Sequence, residues 1–86
     1  LTGVPELRRA VAHHDRRFHG IEADPDQEVV VTSGATEALA ASLMAVLDPG
    51  DECVLVEPLY DTYLPVVRML GAVPRLVRLS PPDWAL

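Results

Sequence analysis

The sequence predicts an α/β fold, a partial parallel sheet of three strands with flanking helices. Three observations carry this expectation. Residues 28–32 and 53–56 are short, mainly apolar runs rich in valine, and residues 73–79 read as a third strand. The first of them shows no polar alternation, the pattern of a strand buried on both faces in a parallel sheet. Helix-period segments stand between the runs, and strands alternating with helices of this length call for right-handed crossovers.

The elements follow in order. Leu7, Val11, His14 and Phe18 fall at i, i+4, i+7 and i+11, one stripe of an amphipathic helix. Pro5 suits its first turn, Glu6 its positive end and Gly20 its stop. Arg8, Asp15 and Arg16 fall on the opposite face. Asp24-Pro25-Asp26 reads as a turn, and residues 28–32 as the first strand. A second helix over residues 35–47 is apolar almost all round, broken only by Thr36, Glu37 and Ser42, which predicts burial on more than one side. Asp48-Pro49-Gly50-Asp51 ends it. Residues 53–56 form the second strand. Tyr63, Val66, Val67 and Leu70 mark a third helix at i, i+3, i+4 and i+7, which Gly71 stops. Residues 73–79 form the third strand, and Ser80-Pro81-Pro82-Asp83 is a loop. Three strands cover poorly a helix this apolar. The expectation is therefore a segment of a larger α/β domain, spanning 1–86 and incomplete at both ends.

Composition narrows the function classes. A chain of 86 residues is one domain at most. It is 49% apolar, too hydrophobic for a disordered segment. The net charge of -6 is spread along the chain without a basic stripe, so no nucleic-acid partner is expected. No apolar run reaches the roughly 18 residues of a membrane span, and no cleavable leader pattern is present. The lone Cys53 reads as a structural thiol in a reducing, cytoplasmic setting.

The segment Val29-Val30-Val31-Thr32-Ser33-Gly34-Ala35-Thr36-Glu37 carries the most chemistry. A strand that turns straight into a helix presents free backbone N–H groups at the positive end of the helix dipole, an arrangement that takes an anion. Small side chains at Gly34 and Ala35 let a phosphate approach the backbone, and Ser33 and Thr36 add hydroxyls. The dipole contributes about 0.3 to 1 kcal/mol, more when partly buried. The plain alternative is a capped helix, with Ser33 at the cap and Glu37 nearby. G-x-G-x-x-G and the G-x-x-x-x-G-K-[ST] loop are absent, as are the G-x-S-x-G elbow, H-E-x-x-H and C-x-x-C. No metal site is therefore expected, and His13, His14 and His19 read as structural. Tyr60 follows the second buried run at the corresponding strand-to-helix turn. Ligands of parallel sheets gather beyond the carboxyl ends of strands, so a ring bound through its phosphate at the first turn could stack on Tyr60.

Together these residues resemble the N-terminal part of the large domain of fold-type I pyridoxal-phosphate aminotransferases, class I/II. The resemblance is to the branch with kynurenine, methionine and N-succinyldiaminopimelate aminotransferases. Gly3-Val4-Pro5-Glu6-Leu7-Arg8 is similar to that family's G-x-P-x-L-R helix start. Residues 31–39 are similar to its phosphate cup, Asp48-Pro49-Gly50-Asp51-Glu52 to its D-P-G-D-E turn, and residues 57–63 to its P-x-aromatic-x-x-Tyr segment. Gly71-Ala72 matches a following Gly-Ala. The match runs in order along nearly the whole chain. It implies that Gly34 and the backbone N–H groups of Ala35 and Thr36 hold the phosphate of pyridoxal 5'-phosphate, with the Thr36 hydroxyl assisting, and that Tyr60 stacks on its ring. Asp61 and Tyr63 are expected to be structural support. The resemblance further implies amino acid and 2-oxo acid substrates and a homodimer.

The resemblance also shows what these residues lack. The family's chemistry needs a lysine that carries the cofactor and moves a proton. All seven basic residues here are arginine, at 8, 9, 16, 17, 68, 75 and 78. The family's ring-nitrogen Asp, ring-oxygen Asn and Tyr, and carboxylate-binding Arg lie downstream of this segment. A phosphate-contacting Tyr from the partner subunit lies just upstream. No catalytic residue is therefore expected within 1–86, and the segment by itself is expected to be inactive. The alternatives are a C–S lyase of the same fold, which shares the cup, and a non-catalytic remnant if these residues are the whole product. After incubation with pyridoxal phosphate and borohydride reduction, this 86-residue chain is expected to carry no pyridoxyl group on a side chain. Mass spectrometry finding one anywhere but the α-amine contradicts this.

Overall fold

The computed structural model describes residues 2–86. The elements are α1 (Pro5–His19), α2 (Gly34–Val46), β1 (Glu52–Glu57), α3 (Tyr63–Met69) and β2 (Val73–Arg78). The chain forms two compact units, one ending at Ala38 and the other running from Leu39 to Leu86.

In the first unit, α1 starts and stops where the local chemistry dictates. Pro5 opens it, Glu6 sits in its first turn, and Gly20 caps it at φ 68°, donating its N–H to the Asp15 carbonyl. The buried face, however, is not the expected one. Leu7, His14 and Phe18 are exposed, while Arg8 is buried and Val11, Ala12 and Asp15 are half-buried. These four lie at i, i+3, i+4 and i+7, so the inward stripe is turned around the helix. The turn at residues 24–28 offers the acceptors that the Arg8 guanidinium takes. Arg8 Nη1 donates to the carbonyls of Pro25 at 2.8 Å and Asp26 at 3.2 Å. Its Nη2 lies 3.2 Å from the Asp26 carboxylate. A buried charge with this many partners is tolerable, and its methylene stem packs as an apolar residue.

The turn itself closes by the Asp26 N–H on Asp24 Oδ1 at 2.8 Å and the Glu28 N–H on the Asp24 carbonyl at 2.8 Å. Residues 29–32 then run without forming a strand. Val29 is buried, but the backbone bond to this run is Val31 N–H to the Thr2 carbonyl, at 3.0 Å. A strand is defined by its neighbours, and no ladder pairs with this run among the described residues. The sheet therefore has two strands rather than the three expected. Gly3 allows the Thr2 contact. At φ 95°, a Cβ on Gly3 would lie 2.6 Å from the Val31 Cβ, so no larger residue fits without movement.

The second unit is a β-α-β crossover. β1 and β2 pair in parallel, from Glu52 opposite Val73 to Glu57 opposite Arg78. The Asp48–Asp51 turn leads into β1. Asp48 N–H donates to Asp51 Oδ2 at 2.9 Å, and Gly50 N–H donates to the Gly71 carbonyl at 2.9 Å. Leu55, Val67 and Ala72 form the core, with Leu43, Leu47, Cys53, Leu59, Tyr63 and Leu64 packed on it. Cys53 is a half-buried free thiol. β1 was expected as a second buried strand, but its burial alternates. Leu55 is buried, whereas Val54 is 65% exposed. Val54, Val56, Val73 and Val77 share the open face, because paired residues of a parallel ladder point the same way. α2 likewise buries no residue fully, although it was expected to be covered on several sides.

Across that open face Arg75 Nε donates to Glu52 Oε1 at 2.9 Å. This hydrogen bond, then the charge of Glu52, holds the Arg75 guanidinium above its ordinary value. A raised cation loses its stabilising contribution only as pH climbs through the folded value, in strongly alkaline solution, so the pair is constant through the neutral range. None of the helices among the described residues is long and apolar enough to cross a membrane. Val67 is the largest side chain sealed from solvent. Val67→Ala is expected to cost about 2 kcal/mol by denaturant unfolding, and Val54→Ala well under 1. Equal losses would mean that the core lies elsewhere.

Candidate functional site

Gly34, Ala35 and Thr36 are the first three residues of α2, and all three are exposed. The approach to the helix is set by two local hydrogen bonds. Gly34 N–H donates to the Thr32 carbonyl at 2.9 Å, and Thr32 Oγ1 donates to the Gly34 carbonyl at 3.0 Å. Gly34 takes φ +81°, a conformation that L side chains rarely adopt, and the space a Cβ would fill is open. The Glu37 carboxylate turns back to accept the Ser33 N–H. It thereby satisfies one donor of the helix start, in the manner of a capping box. First-turn N–H groups have no partner inside a helix. Among the described residues no backbone carbonyl outside α2 accepts from Ala35 or Thr36. Among the described residues these two adjacent N–H donors stand open at the positive end of the helix, beside a glycine, a methyl, a hydroxyl and the capping Glu37 carboxylate. This arrangement fits a phosphate. The cap takes the Ser33 N–H through Glu37 and leaves the next two donors free, so the capped helix does not fill the position expected for an anion.

Tyr60 stands in the second unit, between β1 and α3, and its side chain is exposed. Its ring meets Tyr63 edge-on, with centroids 5.9 Å apart and planes at 63°. Tyr63 packs on the core, and its N–H donates to the Tyr60 carbonyl at 3.2 Å. Tyr60 is therefore anchored at its backbone and braced at one edge, which leaves ring surface for a flat partner. Asp61 accepts a hydrogen bond from Thr62 Oγ1 at 3.3 Å.

One feature escaped the sequence reading. Beyond the carboxyl ends of β1 and β2, Glu57, Pro58, Arg78, Leu79, Ser80, Pro81 and Trp84 line an open groove of about 520 Å³. Arg78 Nε lies 3.8 Å from Glu57 Oε2 across it. The available signal was its position, since parallel strands collect sites at that edge.

The description of aminotransferase class I and II matches residues 1–86. The chain belongs to this family. It is 51% identical over 79 residues to a probable N-succinyldiaminopimelate aminotransferase of Mycobacterium tuberculosis, covering 92% of this chain and 20% of that protein. It is 40% identical over 88 residues to the methionine aminotransferase of Escherichia coli, covering 98% of this chain and 23% of that one. Among solved structures, the Escherichia coli methionine aminotransferase superposes with a TM-score of 0.96 at 39% identity, over 99% of this chain and 22% of that chain. The Mycobacterium tuberculosis N-succinyldiaminopimelate aminotransferase superposes at 0.92 with 48% identity, over 99% and 23%. The chain thus spans about a fifth of the length of these relatives. The family is one of pyridoxal-phosphate-dependent transferases, and the α/β architecture agrees with its solved members.

Glu37 holds the one cap at the start of α2. Glu37→Ala is expected to cost about 1 kcal/mol of stability. Thr36→Ala should cost less than half of that, since its hydroxyl is exposed. Unfolding curves that rank the two the other way contradict this account of the helix start.

Proposed function

We propose that this protein is an aminotransferase that moves an amino group from an amino acid to a 2-oxo acid with pyridoxal 5'-phosphate. The observation that carries the reading is the open pair of N–H donors at Ala35 and Thr36, behind Gly34, in a chain that matches the family from end to end. In this reading these donors and the α2 dipole hold the cofactor phosphate, and the Thr36 hydroxyl adds a donor. The phosphate is a fixed handle, so anchoring it positions everything attached to it. Tyr60 lies against the ring and resists its tilting. When bound, the cofactor supplies an electron sink for the carbon that carries the amino group.

The lysine, the ring-nitrogen carboxylate and the substrate-carboxylate arginine come from outside residues 1–86 in this reading. These residues then form one wall of the site and contribute no proton transfer. The segment is part of a large domain, and the enzyme is a cytoplasmic homodimer, as its relatives' family generally is dimeric. The relatives act on N-succinyldiaminopimelate and methionine by name.

Tyr60→Ala in the enzyme is expected to raise the cofactor dissociation constant about tenfold, the weight of roughly one stacking contact. Tyr60→Phe is expected to leave it nearly unchanged. An unaltered constant in Tyr60→Ala, read by cofactor absorbance during dialysis, contradicts the stacking role.

A further inference from the structure

We propose that the last turn of α1 binds a divalent transition-metal ion of the zinc class through His14, Asp15 and His19. No metal site was expected from sequence spacing, because no recognised ligand motif is present. The structure nevertheless brings one ligand atom of each residue within 4.8 Å of the other two. Asp15 and His19 are four residues apart, the helical spacing that sets two ligands on one face. His14 supplies the third position. Its Nδ1 lies 3.3 Å from Asp15 Oδ1, and its ring centroid lies 5.7 Å from that of His19.

The helix ends directly after these residues. Gly20 at φ 68° and Ile21 both return their N–H groups to the Asp15 carbonyl, the latter at 3.3 Å, which folds the C-terminus of α1 back on itself. Phe18 flanks His14 at 4.7 Å between centroids and restricts its ring. A cation here also meets the negative end of the helix dipole. The nearby basic side chains are His13, Arg16 and Arg17, which line a groove of their own. Arg16 is engaged with Glu22 at 3.4 Å, and Arg17 lies over Phe18 at 5.2 Å.

Two imidazoles and one carboxylate form a set that selects zinc, nickel or copper over magnesium or calcium. Three protein ligands leave a fourth position for water. Bonds of about 2.0 to 2.1 Å in a tetrahedron need donor atoms roughly 3.3 Å apart, so the three side chains must close by a rotamer adjustment. Both histidines are exposed and Asp15 is half-buried, so packing does not oppose that movement. The site does not depend on the transamination reading.

The test is calorimetric titration of zinc chloride into the metal-free, untagged protein, with histidine ring shifts followed by NMR. We expect one saturable site, with His14 and His19 resonances moving together and His13 unmoved. His14→Ala, Asp15→Ala and His19→Ala should each weaken binding by at least about tenfold, while His13→Ala leaves it unchanged. Circular dichroism of each variant separates ligand loss from unfolding. Absence of saturable binding, or wild-type affinity in both the His14→Ala and His19→Ala proteins, overturns the proposal.

Discussion

Backbone N–H and C=O groups taken out of water must find a partner in the chain, and that constraint organises this molecule. Where two strands meet, the β1–β2 ladder satisfies it. Where the chain turns at residues 24–28, Arg8 reaches across to take the carbonyls of Pro25 and Asp26. Where α2 begins, the Glu37 carboxylate takes the Ser33 N–H. The donors left over, at Ala35 and Thr36, are the ones a ligand can use. The candidate site is thus what remains after local pairing is complete. This is why it sits at a helix start with small residues around it.

The same constraint explains which parts of the fold were legible. Helices and their ends are local events. Pro5, Gly20, Asp48-Pro49-Gly50-Asp51 and Gly71 marked boundaries within a residue or two of those observed. The crossover from β1 through α3 to β2 followed from alternating periods. Residues 29–32 misled because a strand needs a neighbour, and apolar β-branched composition does not supply one. Arg8 misled because hydropathy scores its charge and overlooks its stem. The acceptors that bury it lie 17 and 18 residues away along the chain. The exposed faces of α2 and β1 were likewise invisible, since composition speaks of what wants cover and not of what covers it.

The candidate site shows the same division. That Gly34, Ala35 and Thr36 open a helix was written in the sequence. That Glu37 would cap Ser33 and spare the next two donors rests on one side-chain rotamer. Tyr60 could be placed on its turn from the spacing after β1, whereas its bracing by Tyr63 is a tertiary fact. The His14, Asp15 and His19 grouping follows from the helical spacing of Asp15 and His19 with His14 beside them, a pattern that none of the recognised ligand motifs records.

In the proposed function the Ala35 and Thr36 amides are the phosphate donors of a cofactor site. Amide chemical shifts test it most directly, recorded on the ¹⁵N-labelled protein as pyridoxal phosphate is added. The account predicts that the amide protons of Ala35 and Thr36 move downfield more than any others outside the ring-binding region, as charge-assisted hydrogen bonds form. Saturable binding that leaves both amides in place would contradict it.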